Sequence, residues 1–189
     1  MRVIAGRFKS RKLKFPKTKD IRPATDRLKE TIFNTLGQDL TGLEVLDVYA
    51  GMGSLGIEAL SRGAKRASFI DQSAVAIRYI ADNLKSLNLE AQAVIFKADA
   101  LQAIPRLFRG REGRETRETY DILFIDPPYN KGLVKKTLML IEQFDILSPH
   151  GKIVVEHTRQ EELPPLKHFF LERTNHYGIT CLSFLHKVS

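Results

Sequence analysis

Asp126-Pro127-Pro128-Tyr129 directly follows an apolar run, residues 120–125, that reads as a buried strand. The two prolines have no N–H to donate and hold the backbone away from helix, so the loop is stiff and its carbonyls point outward. A carboxylate and an aromatic ring frame it. A flat, nitrogen-bearing ring could stack on Tyr129 while its exocyclic amine donates to Asp126 and the Pro127 carbonyl, with Pro128 stiffening the turn; such a pocket suits methylation of a base amine. The plainer reading is a rigid turn closing a parallel strand, with Asp126 as a cap. The functional reading is preferred because the chain also supplies a cofactor site in the right order.

That second constellation begins at Asp47-Val48-Tyr49-Ala50-Gly51-Met52-Gly53-Ser54-Leu55-Gly56, after a predicted strand at 45–48. Its glycines allow a tight turn and close approach of a ligand to backbone N–H groups. Asp71, followed by Gln72, ends the next predicted strand, and Asp99, followed by Ala100, comes after the third. A carboxylate after the second strand can accept from the vicinal hydroxyls of a ribose, and Asp99 from an adenine amine. Gly51 to Gly56 also matches the dinucleotide fingerprint G-x-G-x-x-G, with Asp71 twenty residues beyond Gly51, which makes a nicotinamide oxidoreductase a rival. Asp47 would repel a pyrophosphate but could engage a cationic amino-acid tail, and hydride transfer has no use for residues 126–129. S-adenosylmethionine, with adenine, ribose and an amino-acid tail but no phosphate, suits these acids better.

The elements that must hold these residues alternate along the chain. Thr25 or Asp26 caps a helix bearing Leu28, Ile32, Phe33 and Leu36 on one face and ended by Gly37. Strands at 45–48, 67–70, 93–96, 120–125 and 152–155 alternate with helices at 54–62, from Ser73 through Leu87, at 101–108 and at 133–144. Residues 109–119 contain nothing apolar and read as an exposed loop. The pattern predicts an α/β fold with a mostly parallel sheet joined by right-handed crossovers. Segments 167–173 and 179–185, flanking a turn at His176-Tyr177-Gly178, read instead as a closing antiparallel hairpin.

The chain has 189 residues, 43% hydrophobic, enough for one well-buried core. It has no apolar run long enough to span a bilayer and no signal-like segment, so a cytoplasmic protein is expected. The five histidines lack metal-ligand spacing, so no metal is expected, and the single Cys181 lies in an apolar strand as a buried thiol. The net charge of +8 is concentrated in residues 1–19, which carry Arg2, Arg7, Lys9, Arg11, Lys12, Lys14, Lys17 and Lys19 and no acid. Val3, Ile4, Phe8, Leu13 and Phe15 are interspersed among them, which suggests a short hairpin docked by its apolar side rather than a disordered tail. A structured basic arm, residues 1–20, on a body of residues 21–189 fits a phosphate-rich partner.

Arg22-Pro23-Ala24-Thr25-Asp26-Arg27 with Glu30 and Phe33-Asn34, Val45 through Gly56 with residues 58–64, and Asp126 to Tyr129 together resemble the bacterial 16S ribosomal RNA guanine-N2 methyltransferases of the RsmD type. Glu156, Leu163-Pro164 and Tyr177-Gly178 also look like that family. Ala24, Tyr49 and the length of the 109–119 loop depart from it. The resemblance implies a Rossmann-like methyltransferase sheet of seven strands with an antiparallel last strand, and S-adenosylmethionine as cofactor. It implies methylation of a guanine N2 in 16S ribosomal RNA or the small ribosomal subunit, by a monomer. By the same resemblance, the segment around Arg22, Thr25 and Asp26 approaches the cofactor's amino-acid end, and the basic arm, with Arg2, Arg7, Lys9, Arg11, Lys12 and Lys14, holds RNA. The proline loop alone would serve adenine N6 as well as guanine N2, and a noncatalytic RNA-binding protein would keep the arm without the cofactor site.

Overall fold

A computed structural model describes residues 1–16, 25–109 and 119–188. Lys17, Lys19, Arg22 and most of the polar loop expected at 109–119 lie outside the described residues. Seven strands form a mixed sheet in the order β3-β2-β1-β4-β5-β7-β6. The chain divides into two compact units, Met1–Lys97 and Ala98–Ser189.

In the first unit, α1 (Asp26–Leu36) starts where the Thr25 hydroxyl accepts the Leu28 N–H, and ends at Gly37. Strands β1 (Glu44–Val48), β2 (Arg66–Asp71) and β3 (Ala93–Lys97) run parallel, and the register Val48↔Ile70 brings the carboxyl ends of β1 and β2 to the same edge. Every residue of α2 (Ser54–Ser61) is buried, as its short, apolar, small-residue sequence demands. Gly56 allows that depth: a Cβ there would lie 2.3 Å from the Phe69 ring on β2. Helix α3 (Ala74–Ser86) is capped by the Ser73 hydroxyl and packs Ala76, Ile80 and Leu84 inward.

The expected arm is present as a docked hairpin. Arg2 and Lys12 form an antiparallel bridge around a 3-10 turn at Gly6–Phe8, and Val3 and Leu13 are buried. Burying these two side chains contributes about 1.5–3 kcal/mol each. Phe15, expected on the docked side, is exposed.

The second unit contains α4 (Ala100–Arg109), β4 (Tyr120–Ile125), α5 (Leu133–Phe144), β5 (Leu147–Thr158), β6 (Phe169–Tyr177) and β7 (Thr180–Lys187). Strand β4 pairs parallel with β5, and β7 pairs antiparallel with both β5 and β6. Two boundaries differ from the sequence reading. Strand β5 begins at Leu147, because Ser148–Gly151 forms an irregularity within it: the pairing passes from Tyr120↔Leu147 to Ile122↔Lys152, with His150 and Ser148 accommodated there. The final hairpin is longer than expected, since Tyr177 pairs with Thr180 and the turn shrinks to Gly178 and Ile179, with Gly178 at φ +61. Among the described residues, no helix is long and apolar enough to cross a membrane, and no group of three or more His, Cys, Asp or Glu could hold a metal ion.

Candidate active site

The first unit carries the glycine loop at the carboxyl end of β1. Tyr49 adopts φ +62, a conformation that costs an aromatic residue on the order of 1–3 kcal/mol and clusters at functional sites. Ala50 donates its N–H to the Ile70 carbonyl at 2.9 Å, and Gly53 to the Ala50 carbonyl at 2.7 Å. Gly51 and Gly53 take left-handed φ of +53 and +76. A Cβ on Gly51 would meet nothing within 4 Å, so the loop presents open space at that glycine.

Asp71 ties this loop to the start of α3, one carboxylate oxygen on each. Oδ2 accepts the Gly51 N–H at 2.9 Å, and Oδ1 accepts the Ser73 N–H at 2.8 Å. The group is half-buried, which leaves lone pairs on the solvent side for hydroxyl donors. Gln72 beside it is exposed.

Asp47 has a different setting from the ligand-facing one expected. It is 2% exposed, and its Oδ2 accepts the Gly56 N–H at 2.9 Å. Burial, opposed by that hydrogen bond and reinforced by the negative Asp71, pushes its pKa up to about 8. Burial thus favours the protonated carboxyl, and the bond from Gly56 makes it a brace for the start of α2.

Thr25 is engaged as the α1 cap, and Asp26 pairs with Arg2 at 2.9 Å. Arg2, Arg7, Lys9, Arg11, Lys12 and Lys14 are all exposed on the arm. The body partly answers their charge: the Arg7 guanidinium donates to Gln92 at 2.7 Å, and Lys14 pairs with Asp82 at 3.6 Å.

Sequence reasoning did not find what fixes the arm. Glu58, fully buried on α2, accepts the Ile4 and Ala5 N–H groups at 2.9 Å each. It also pairs with Arg62 at 3.0 Å and with buried Lys29 at 3.5 Å. Lys29 Nζ donates to the Arg2 carbonyl as well, and burial lowers its pKa against the pull of Glu58. The Ser61 hydroxyl donates to the Ala5 carbonyl at 2.6 Å and accepts the Phe8 N–H at 3.0 Å. Gly6 permits this contact, since a Cβ there would lie 1.9 Å from the Ser61 carbonyl oxygen.

In the second unit, Asp99 Oδ1 accepts the Leu101 and Gln102 N–H groups at 2.9 and 3.2 Å, capping α4, of which Ala100 is the buried first residue. Asp126 is half-buried at the end of β4, Pro127 is buried and Pro128 exposed. The Tyr129 hydroxyl donates to Glu156 Oε1 near the end of β5 and lies 3.3 Å from Thr180 Oγ1 on β7. Burial, with Glu156 accepting its proton in a hydrogen bond, raises the phenol's pKa further above its ordinary range, so it stays a donor. Glu161 secures the next residues: its carboxylate accepts the Asn130 N–H at 3.2 Å and the Thr158 N–H at 3.2 Å. Tyr129 is thus a ring tethered through its hydroxyl at the end of a proline-stiffened loop. The family resemblance singled out Glu156, and its place after the apolar pair Val154-Val155 put it at the end of a strand, but neither signal showed that it would hold Tyr129.

A separate concavity of about 560 Å³ over β5 to β7 is lined by His157, Thr174, His176, Cys181 and Ser183, among others. His157 Nε2 lies 2.8 Å from Ser183 Oγ and its Nδ1 2.9 Å from the Thr158 carbonyl, which fixes the tautomer that accepts the serine proton. Ser183 is fully buried and also bonded to Thr174 at 2.8 Å, so this is a closed polar network within the sheet rather than an exposed nucleophile.

A family model described as conserved hypothetical protein 95 matches residues 1–186. The Bacillus subtilis protein YlbH is 38% identical over 188 residues, covering 99% of each chain. Ribosomal RNA small subunit methyltransferase D of Escherichia coli is 34% identical over 164 residues, covering 87% of this chain and 78% of that protein. The solved structure of Escherichia coli yhhF superposes with a TM-score of 0.85 at 29% identity, over 99% of this chain and 97% of that one.

Proposed function

The chain belongs to the family described as conserved hypothetical protein 95, and on that premise we propose that it transfers a methyl group from S-adenosylmethionine to the exocyclic N2 of a guanine in 16S ribosomal RNA of the small subunit. The observation that carries this reading is the Asp126-Pro127-Pro128-Tyr129 loop, with its aromatic ring tethered to Glu156 and Thr180, in a chain 34% identical to a small-subunit ribosomal RNA methyltransferase.

The donor set fits the cofactor. Open space at Gly51 gives its backbone room to approach a ligand, and half-buried Asp71 offers lone pairs to ribose hydroxyls. Asp99 retains a second oxygen for an adenine amine, with Oδ1 committed to α4. Asp47 supports the loop and, through Gly56, the start of α2. Bound S-adenosylmethionine would supply an electrophilic methyl group on a sulfonium, for which S-adenosylhomocysteine is the leaving group, with the amine's proton passing to water.

The protein's own residues deal with the acceptor. A guanine N2 lone pair is delocalised into the ring and nucleophilic only when the amine is oriented. Asp126 and the Pro127 carbonyl accept the two amine hydrogens and hold the lone pair outward. Tyr129 stacks on the extruded base, worth about 1–3 kcal/mol against an unstacking cost of a few. Orientation of this kind supplies up to about 7–11 kcal/mol of barrier reduction in favourable cases.

The test uses tritiated S-adenosylmethionine with small ribosomal subunits from cells lacking this protein, followed by digestion and identification of the labelled nucleoside. N2-methylguanosine is expected, and Asp126→Ala should abolish labelling while S-adenosylhomocysteine still binds by calorimetry. Label in N6-methyladenosine would overturn the choice of base, and full turnover by Asp126→Ala would overturn the role of the loop.

A further inference from the structure

Asn83 stands fully buried in α3 beside Ile80 and Leu84, in a row of side chains that is otherwise apolar. A buried amide in such a place is costly unless its hydrogen bonds are satisfied. Here they join two parts of the proposed machinery. Oδ1 accepts the Lys14 N–H at 2.7 Å, and Nδ2 donates to the Lys14 carbonyl at 3.0 Å, so the side chain grips the arm's backbone as a neighbouring strand would. The Lys14 N–H fixes which end of the amide is oxygen. The same Nδ2 reaches the Met52 carbonyl at 3.4 Å, in the peptide between Gly51 and Gly53.

One amide therefore links the arm to the glycine loop. The arm's other footings, Glu58 and Ser61, lie on α2, whose first residue, Ser54, directly follows Gly53. We infer that Asn83 is a positioning residue for the proposed methyl transfer, tying the RNA-facing arm to the cofactor's glycine loop so that binding of substrate and of cofactor reinforce one another. The inference rests on the functional reading above. By linkage, whatever one ligand gains from the other is returned in equal measure.

The test measures retention of unmethylated small ribosomal subunits by the full-length protein, with and without saturating S-adenosylhomocysteine. In the wild type the cofactor product should tighten retention by about fivefold or more, the lower end of ordinary coupling. Asn83→Ala should bring that factor to within about twofold of one, while its salt slope stays as in the wild type because every Lys and Arg remains. Gly6→Ala is the second variant, and it decides the matter if Asn83→Ala fails to fold. It drives a Cβ toward the Ser61 carbonyl, frees the arm without touching α3, and should lose the coupling too. Full coupling in a folded Asn83→Ala protein, or in Gly6→Ala if that alone folds, overturns the inference. Subunits that bind the wild type equally with and without S-adenosylhomocysteine overturn it and leave the functional reading standing, whereas a wild type that binds neither ligand overturns both.

Discussion

The Tyr129 hydroxyl donates to Glu156, a carboxylate 27 residues further along the chain, and so the ring that follows the proline loop is held from its far edge. Tyr129→Phe keeps the ring and removes the tether. Turnover should fall about tenfold, equivalent to about 1.4 kcal/mol, with S-adenosylhomocysteine affinity unchanged. Tyr129→Ala should fall further by the stacking contribution of about 1–3 kcal/mol. Single-turnover methylation of small subunits makes the comparison, and equal rates for the Phe variant and the wild type would show that the tether is idle.

Gly56 is set by packing rather than by its conformation. A Cβ there would sit 2.3 Å from Phe69 Cε1 and 2.7 Å from Cζ, both part of a rigid buried ring. Gly56→Ala should therefore destabilise by about 1–3 kcal/mol. It should also weaken S-adenosylhomocysteine binding, because the Gly56 N–H is the donor that Asp47 holds. Thermal melting and calorimetry on the same sample check both effects, and an unchanged melting temperature would mean that α2 shifts without cost.

Glu58 is the anchor of a wholly buried charge cluster with Lys29 and Arg62. Glu58→Gln leaves two cations without their counter-charge and should cost about 3–5 kcal/mol in denaturant unfolding. Lys65→Ala, which breaks an exposed pair with Glu44, should cost no more than about 1 kcal/mol. Similar losses for the two variants would argue against the buried cluster as the arm's main footing.

The glycine loop and the proline loop were legible in the sequence because each is a continuous stretch whose residue types limit the backbone directly. The helix at 133–144 was legible for a related reason, since its period is local. What binds these pieces was not. Asn83 and Lys14 are 69 residues apart, Glu58 and Ile4 are 54, and no periodicity announces such partners. A polar residue among the apolar positions of α3 and an acid inside the apolar α2 were the visible signs, and each alone is equally compatible with an exposed face. Asp47 shows the converse. Its position near the end of β1 was readable, but its burial beneath the Gly56 N–H of the packed helix α2 was not, so a ligand-facing carboxylate was expected where the structure has a brace.

That burial gives Asp47 a pH signature. Its pKa is raised from the ordinary 3.8 to about 8, chiefly because burial disfavours the charged form. The folded protein thus keeps a proton that the unfolded chain releases above about pH 4. The contribution to stability is complete below that pH, and it declines as pH rises toward about 8 at up to about 1.4 kcal/mol per pH unit, then levels off. Asp47→Asn is close in shape, can still accept from the Gly56 N–H, and has no proton to lose. Between pH 5 and 8 its melting temperature should gain steadily on that of the wild type, whatever the offset at pH 5. Parallel melting curves across that range would mean that Asp47 is already ionised in the fold, and the brace would then have to be read as a charged one.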